Sequence, residues 1–276
     1  MPERKGLVRK VLLAYNKGNE MLAPSWSEKG INMLEKVKQL LTKQRDKRKF
    51  CTAIVAAAGT SSRMGGENKQ LLPLGGIPVL IRTLQALDSA ETVDAMVVAT
   101  REEDIVTIAE LVKTYGIGKP VTVVLGGANR VESVLLALQH APAETTLFAV
   151  QDGARPFVTK EIIDNTVRKA AQCGAAAPAI PVKDTIKIAA EQKVISTPER
   201  KRLFAVQTPQ VFDADLLKAA LQSAVTDKAE ITDDCSAVER LGKEIYLTEG
   251  SEENIKITTP LDKIVAEGIL QWRENV

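Results

Sequence analysis

From Phe50 onward the chain alternates short apolar runs with longer segments of helical period. Thr52 to Ala58 is an apolar run that ends in Gly59, and Ala95 to Ala99, Val121 to Leu125, Thr146 to Val150 and Ala175 to Ile180 are runs of the same kind. Between them Val79 to Leu87, Glu102 to Tyr115, Arg130 to His140 and Lys160 to Gln172 carry apolar residues at helical spacing. Short apolar runs bounded by helices predict strands of a mostly parallel sheet covered on both faces, an α/β domain. In such sheets ligands lie beyond the carboxyl ends of the strands, so the loops starting at Gly59, Gly126 and Asp152 are expected to converge.

After Ile180 the rhythm breaks. Pro181 to Ile188 and Lys201 to Val206 alternate like paired strands around a polar tip, Ala190 to Glu199. A hairpin projecting from an α/β body buries little on its own and calls for a partner surface. Helices are then expected at Asp213 to Ala224 and Asp233 to Leu241, a strand at Glu244 to Thr248, and a last helix from Pro260.

Residues 1–48 differ in character and read as a helical extension before a domain over 49–276, with 181–206 as its projecting arm. Glu3 to Asn19 reads as a basic helix, Ala23-Pro24-Ser25 breaks it, and Ser27 caps a second helix carrying Ile31, Leu34 and Leu41. Lys43 to Lys49 is a charge run, read as a solvated helix end and linker in preference to a nucleic-acid or membrane contact.

Composition narrows the chemistry. The 276 residues are 45% hydrophobic and 26% charged, ordinary for a globular chain. Lys plus Arg is 37 against 35 for Asp plus Glu, so the whole-chain charge does not announce a nucleic-acid binder, while a local patch could still bind phosphate. No apolar run approaches a membrane span, and Val11 to Tyr15 is too short for a secretory core. Scattered Cys51, Cys173 and Cys235 fit a reducing cytoplasm. The single histidine, His140, leaves catalysis to Lys, Arg, Asp and backbone dipoles.

The sharpest motif is Ala57-Ala58-Gly59-Thr60-Ser61-Ser62-Arg63-Met64, with Lys69 five residues on. A strand ending in small residues lets backbone N–H groups approach an anion, and Arg63 and Lys69 set two cations beside it. No Gly-Lys-Ser/Thr follows Gly59, and Ser61 and Met64 stand where a dinucleotide fingerprint needs glycines.

This loop resembles the signature of sugar-nucleotide-type nucleotidyltransferases. With Gln151-Asp152-Gly153-Ala154-Arg155-Pro156, Pro181 to Lys187, Gln207-Thr208-Pro209-Gln210 and Asn254-Ile255-Lys256-Ile257-Thr258, it is similar to the 2-C-methyl-D-erythritol 4-phosphate cytidylyltransferases of the non-mevalonate isoprenoid pathway. The resemblance covers about residues 50 to 272 and leaves out the first 48. It implies a Rossmann-like nucleotidyltransferase domain with a hairpin dimerisation arm, working as a homodimer. The implied reaction joins CTP and methylerythritol phosphate to give the CDP-alcohol and pyrophosphate, with Mg²⁺.

The resemblance also implies roles. Arg63 and Lys69 would contact the triphosphate and Lys256 the α-phosphate. Ala57, Ala58 and Gly59 would line the nucleotide, and Gly126, Gly127 and Ser133 the cytosine and ribose pocket. Asp152 ends an apolar strand, where a carboxylate suits Mg²⁺; a turn cap is the other reading of an Asp before Gly. Arg155 would brace that loop or the substrate phosphate. Thr185 and Arg200 on the arm would complete a second-substrate site with Thr208 of the other subunit. Departures from the family pattern are Ala56 for proline, Ser61 for glycine, Ala128 for an acidic residue and Gln151 for histidine. If position 61 needs a left-handed backbone, serine costs ~1 kcal/mol there. Alternatives left open are a ribitol-5-phosphate cytidylyltransferase and a non-catalytic nucleotide-binding regulator.

Overall fold

The computed structural model describes residues 49–59 and 68–275. The helices expected over 3–19 and 27–41, the following charge run up to residue 48, and positions 60–67 lie outside them.

In chain order, β1 (Cys51–Ala56) is followed by a small ladder of β2 (Pro73–Leu74) with β3 (Ile77–Pro78), then by α1 (Val79–Ser89). Next come β4 (Ala95–Thr100), α2 (Ile105–Thr114), β5 (Val121–Leu125), α3 (Arg130–Leu138), β6 (Leu147–Asp152), α4 (Lys160–Cys173) and β7 (Ala175–Pro181). The remainder comprises β8 (Ile188–Ala190), β9 (Lys193–Ser196), β10 (Phe204–Val206), β11 (Gln210–Asp213), α5 (Ala214–Thr226), α6 (Asp234–Glu239), β12 (Tyr246–Glu249) and α7 (Pro260–Glu274).

One 8-stranded sheet runs β10-β7-β11-β6-β1-β4-β5, with β12 also on β7. β1 is parallel to β4 and β6, and β4 to β5; β11 is antiparallel between β6 and β7. The expected mostly parallel α/β sheet is therefore present, with β10 and β11 as antiparallel members. β11 went unread because four residues, Gln-Val-Phe-Asp, give too short a run to show a period.

The two faces follow from the strand period of two. Ala53 and Val55 turn to a core shared with Leu80, Ile81, Leu84 and Leu87 of α1, Ile108 of α2 and Ile163 of α4. Ile54 turns the other way, onto Val134 of α3, Leu217 and Leu221 of α5 and Ala237 of α6. Each of the fully buried α1 leucines contributes about 1.5–3 kcal/mol of transfer free energy, which fixes α1 under the sheet. A third cluster pins α7 through Ala266 to Leu74, Phe157 and Ile257, and so places the 254–258 segment. No helix among the described residues is long and apolar enough to cross a membrane.

The arm differs from the expected pairing. β10 pairs with the end of β7, Phe204 opposite Pro181, so the outer strands meet only at the base. The stretch read as a polar tip contains β9, which pairs with β8 through a turn at Glu191 and Gln192, both at positive φ (49° and 63°). Two consecutive left-handed residues make the tight turn that matches strand twist. The apolar pair Val194-Ile195 supplies strand character inside a stretch whose charges suggested a loop.

Candidate active site

The carboxyl ends of β1, β5 and β6 open onto one side of the sheet. Backbone bonds carry the chain across them: Ala57 N–H donates to Ala99 O (2.8 Å), Gly126 N–H to Thr100 O (2.8 Å) and Gly153 N–H to Ala56 O (3.1 Å). The strand ends that open the three loops converge as expected, while residues 60–67 of the first loop lie outside the described residues.

Crowding explains the double glycine. A Cβ on Gly126 would lie 2.5 Å from Ala58 Cβ and 3.1 Å from Ser133 Oγ, and one on Gly127 would lie 2.4 Å from Glu132 Cβ. Gly59 differs, since a Cβ there would meet nothing within 4 Å. Buried Ser133 locks the loop to α3: its Oγ accepts from Gly127 N–H at 3.0 Å and donates to Asn129 O at 2.8 Å. Asn129 caps α3 by accepting from Glu132 N–H, while the Glu132 carboxylate accepts from Ala128 N–H and Asn129 Nδ2. The Gly126-Gly127 loop is thereby held against the first turn of α3, with the Ala58 side chain packed on Gly126.

Beside them Asp152, at the end of β6 and 5% exposed, sits among three cations. Arg130 Nη1 reaches Oδ1 at 2.7 Å; Arg155 Nε and Lys256 Nζ reach Oδ2 at 3.2 Å and 3.1 Å. Arg130 also bonds the buried Asp234 carboxylate at 2.7 Å. Burial works against the ionised form of Asp152, but Arg130, Lys256 and Arg155 outweigh it and hold its carboxyl well below the usual carboxylate range. Burial also opposes the Arg130 charge, and the two aspartates overcome it, so Arg130 is raised. At Arg155 burial wins over the attraction of Asp152 and lowers the guanidinium. Burial pushes Asp234 up, with Arg130 working against that rise.

The far wall comes from the 207–208 and 254–256 segments. Thr208 Oγ1 accepts from Asp152 N–H at 3.1 Å, and Arg155 Nη1 donates to Asn254 O at 2.6 Å. Buried Gln207 accepts from Asn254 Nδ2 and Ser251 N–H, tying the two segments together.

The structure therefore brings Asp152, Arg155, Lys256 and Thr208 together, and separately Ala58, Gly126, Gly127 and Ser133. Ala57 is buried behind the loop, and Gly59 is exposed. Lys69 is half-buried, next to the buried Gln70 that accepts Leu80 N–H. Thr185 and Arg200 lie exposed on the arm, where Arg200 donates to Lys183 O at 3.0 Å. Arg63 and Ser61 lie outside the described residues.

Sequence reasoning missed Arg130, Asp234, Gln207 and Asn254 as site-forming side chains. Arg130 did carry a signal: a cation in the first turn of a helix opposes the helix dipole and needs an anion nearby.

No all-protein magnesium site is built around Asp152 among the described residues. Both oxygens already accept from cations, and the described residues contain no group of three or more His, Cys, Asp or Glu that could hold a metal. Magnesium is commonly held by one or two carboxylates together with substrate phosphates and water, so the metal's main ligands would come with the nucleotide.

Residues 51–272 match the family model described as 2-C-methyl-D-erythritol 4-phosphate cytidylyltransferase. The proteins of that name from Bacillus cytotoxicus and Shouchella clausii are each 44% identical to the chain. The first alignment covers 79% of this chain and 97% of the relative, the second 81% and 97%. Among solved structures, 4-diphosphocytidyl-2C-methyl-D-erythritol synthase of Anaerococcus prevotii is 29% identical with a TM-score of 0.76, covering 83% of this chain and 99% of that one. The 2-C-methyl-D-erythritol 4-phosphate cytidylyltransferase of Thermus thermophilus is 30% identical, TM-score 0.64, covering 80% and 99%.

Proposed function

The chain belongs to the 2-C-methyl-D-erythritol 4-phosphate cytidylyltransferase family, and we propose that it works by gathering fixed cations around the reacting phosphates. It is an enzyme, a nucleotidyltransferase of isoprenoid biosynthesis that moves CMP from CTP to 2-C-methyl-D-erythritol 4-phosphate and releases pyrophosphate.

The observation that supports the mechanism is the Asp152 cluster lying next to the Gly126-Gly127 loop. The attacking phosphate is already ionised, so the reaction needs alignment and neutralisation of crowded negative charge rather than a strong base. Lys256, 39% exposed, presents the accessible cation of the cluster and would neutralise charge at the α-phosphate. Lys69 and Arg63 would hold the β- and γ-phosphates of the leaving pyrophosphate. Ala57, Ala58, Gly59, Gly126, Gly127 and Ser133 would take the nucleoside, with backbone groups reading the cytosine edge. Arg155 and Thr208 would face the methylerythritol phosphate. A divalent cation, Mg²⁺, would arrive bound to the triphosphate as part of the substrate, with Asp152 left to its arginines and lysine.

The arm would embrace a second subunit. Ile188, Val194, Ile195 and Phe204 are 51%, 61%, 65% and 44% exposed, an apolar surface on a hairpin with no body of its own. Thr185 and Arg200 would then reach the neighbour's polyol phosphate. Three free cysteines, Cys51, Cys173 and Cys235, suit a cytoplasmic protein. Steady-state kinetics of Lys69→Ala and Lys256→Ala test the cation reading. Loss of one preorganised donor should lower kcat by about 10²–10³, and unchanged kcat in either folded variant would remove that residue from the mechanism.

A further inference from the structure

Arg130 and Asp234 are assigned to no substrate group, yet they join the charge cluster to the body of the fold. Arg130 opens α3, where a cation faces the positive end of the helix dipole and is disfavoured unless anions compensate. It meets two. Nε and Nη2 close on one oxygen of Asp234 at 3.1 Å and 2.7 Å, while Nη1 goes to Asp152 at 2.7 Å. Asp234 is 1% exposed and begins α6, which Asp233 closes with a reciprocal capping box. Gln210 Nε2 donates to Asp233, and Gln210 Oε1 accepts from Cys235 N–H, so both flanks of Asp234 are tied to β11. Asp234 is thus a fixed point of the fold.

From that point the ion pairs run outward: Asp234 to Arg130, Arg130 to Asp152, Asp152 to Lys256 and Arg155. Each link restricts the next. Lys256 alone would swing through its four-carbon stem, and a planar guanidinium held on two edges is the rigid element that a lysine in the same place would lack. We propose that Arg130 and Asp234 are positioning residues, which hold Asp152, and through it Lys256 and Arg155, in the arrangement that phosphoryl transfer requires. The inference rests on the cation reading of Lys256 given above.

The base pocket is built from backbone groups of Gly126 and Gly127 and from Ser133, none of which bonds the Arg130 side chain. Disturbing the chain should therefore act on kcat more than on nucleotide binding. The experiment uses Arg130→Lys and Asp234→Asn, with kcat and KM referred to folded enzyme measured by circular dichroism and thermal melting. Each is expected to lower kcat about 10-fold or more while KM for CTP stays within about 3-fold. In the Lys256→Ala background, adding Arg130→Lys should lower kcat by no more than about 3-fold further, because residues acting as one unit are not additive.

If Arg130→Lys does not fold, Asp234→Asn carries the same test. A defective Lys256→Ala beside undiminished kcat in the folded Arg130→Lys and Asp234→Asn variants overturns the positioning chain alone. Full multiplication of the losses in the double variant also overturns it. Full activity of Lys256→Ala overturns the cation reading and the chain with it.

Discussion

Gly127 and Glu132 approach so closely that a Cβ on the glycine would lie 2.4 Å from the glutamate's Cβ and 2.9 Å from its carbonyl carbon. The first turn of α3 and the loop before it share space that only a hydrogen atom fills, and the glutamate carboxylate closes the contact on Ala128 N–H. Gly127→Ala must push the loop away from the helix. It should destabilise the fold by about 1–3 kcal/mol, the usual cost of overpacking. Because the same loop would meet the cytosine, KM for CTP should rise more than KM for methylerythritol phosphate. Melting curves and two-substrate kinetics check both; a variant with unchanged melting temperature and KM would show the loop to be an ordinary turn.

Asp152→Asn removes the negative centre of three cations. The magnesium curve of its residual activity should keep the wild-type midpoint, since the metal would enter with CTP. A higher magnesium requirement would return Asp152 to the role of metal ligand.

The same residue gives a pH prediction. Its pKa is depressed in the folded protein, so its stabilising contribution is fully present above the unfolded carboxylate value, about 4, and is lost as pH falls through the folded value. The difference in unfolding free energy between wild type and Asp152→Asn should stay constant from pH 8 to about 5 and shrink only below about 4. Denaturant titrations across that range check it. A difference that disappears by neutral pH would mean that the carboxylate is not held by its cations.

The arm gives an assembly prediction. Arg200→Ala should raise KM for methylerythritol phosphate with little change for CTP, because a phosphate loses one charge-assisted donor and the nucleotide loses none. Mixed Lys69→Ala and Arg200→Ala subunits should regain activity in heterodimers. Sedimentation alongside the assay tests this, and a fully active monomer would contradict the composite site.

The strands and helices around the site were legible because β1, β4 and β6 are buried runs, β5 is a β-branched edge run, and the helices between them keep one apolar face. The residue types of the site were legible too, since Asp152, Arg155, Lys256 and the double glycine sit in quotable motifs. The convergence of the Gly126 and Asp152 loops was expected from the strand ends; the ion pairs that lock Asp152 in place were not. Arg130 and Asp234 are 104 residues apart, and nothing local to either says that they touch. The arm was misread at its tip for a physical reason: Glu191 and Gln192 form a tight turn without the glycine or asparagine that usually announces one. The glycine pair was visible, but whether it made a turn or a close approach depended on Ala58 and α3, brought in by the fold.

The cation cluster and the glycine-walled pocket together set which pair of substrates the enzyme accepts. The deciding measurement is pyrophosphate release by the purified chain with each of the four nucleoside triphosphates, paired with methylerythritol phosphate or ribitol 5-phosphate, at subsaturating concentrations and fixed magnesium. The expected result is highest kcat/KM for CTP with methylerythritol phosphate. ATP turned over as well as CTP, or ribitol 5-phosphate preferred to methylerythritol phosphate, would contradict it.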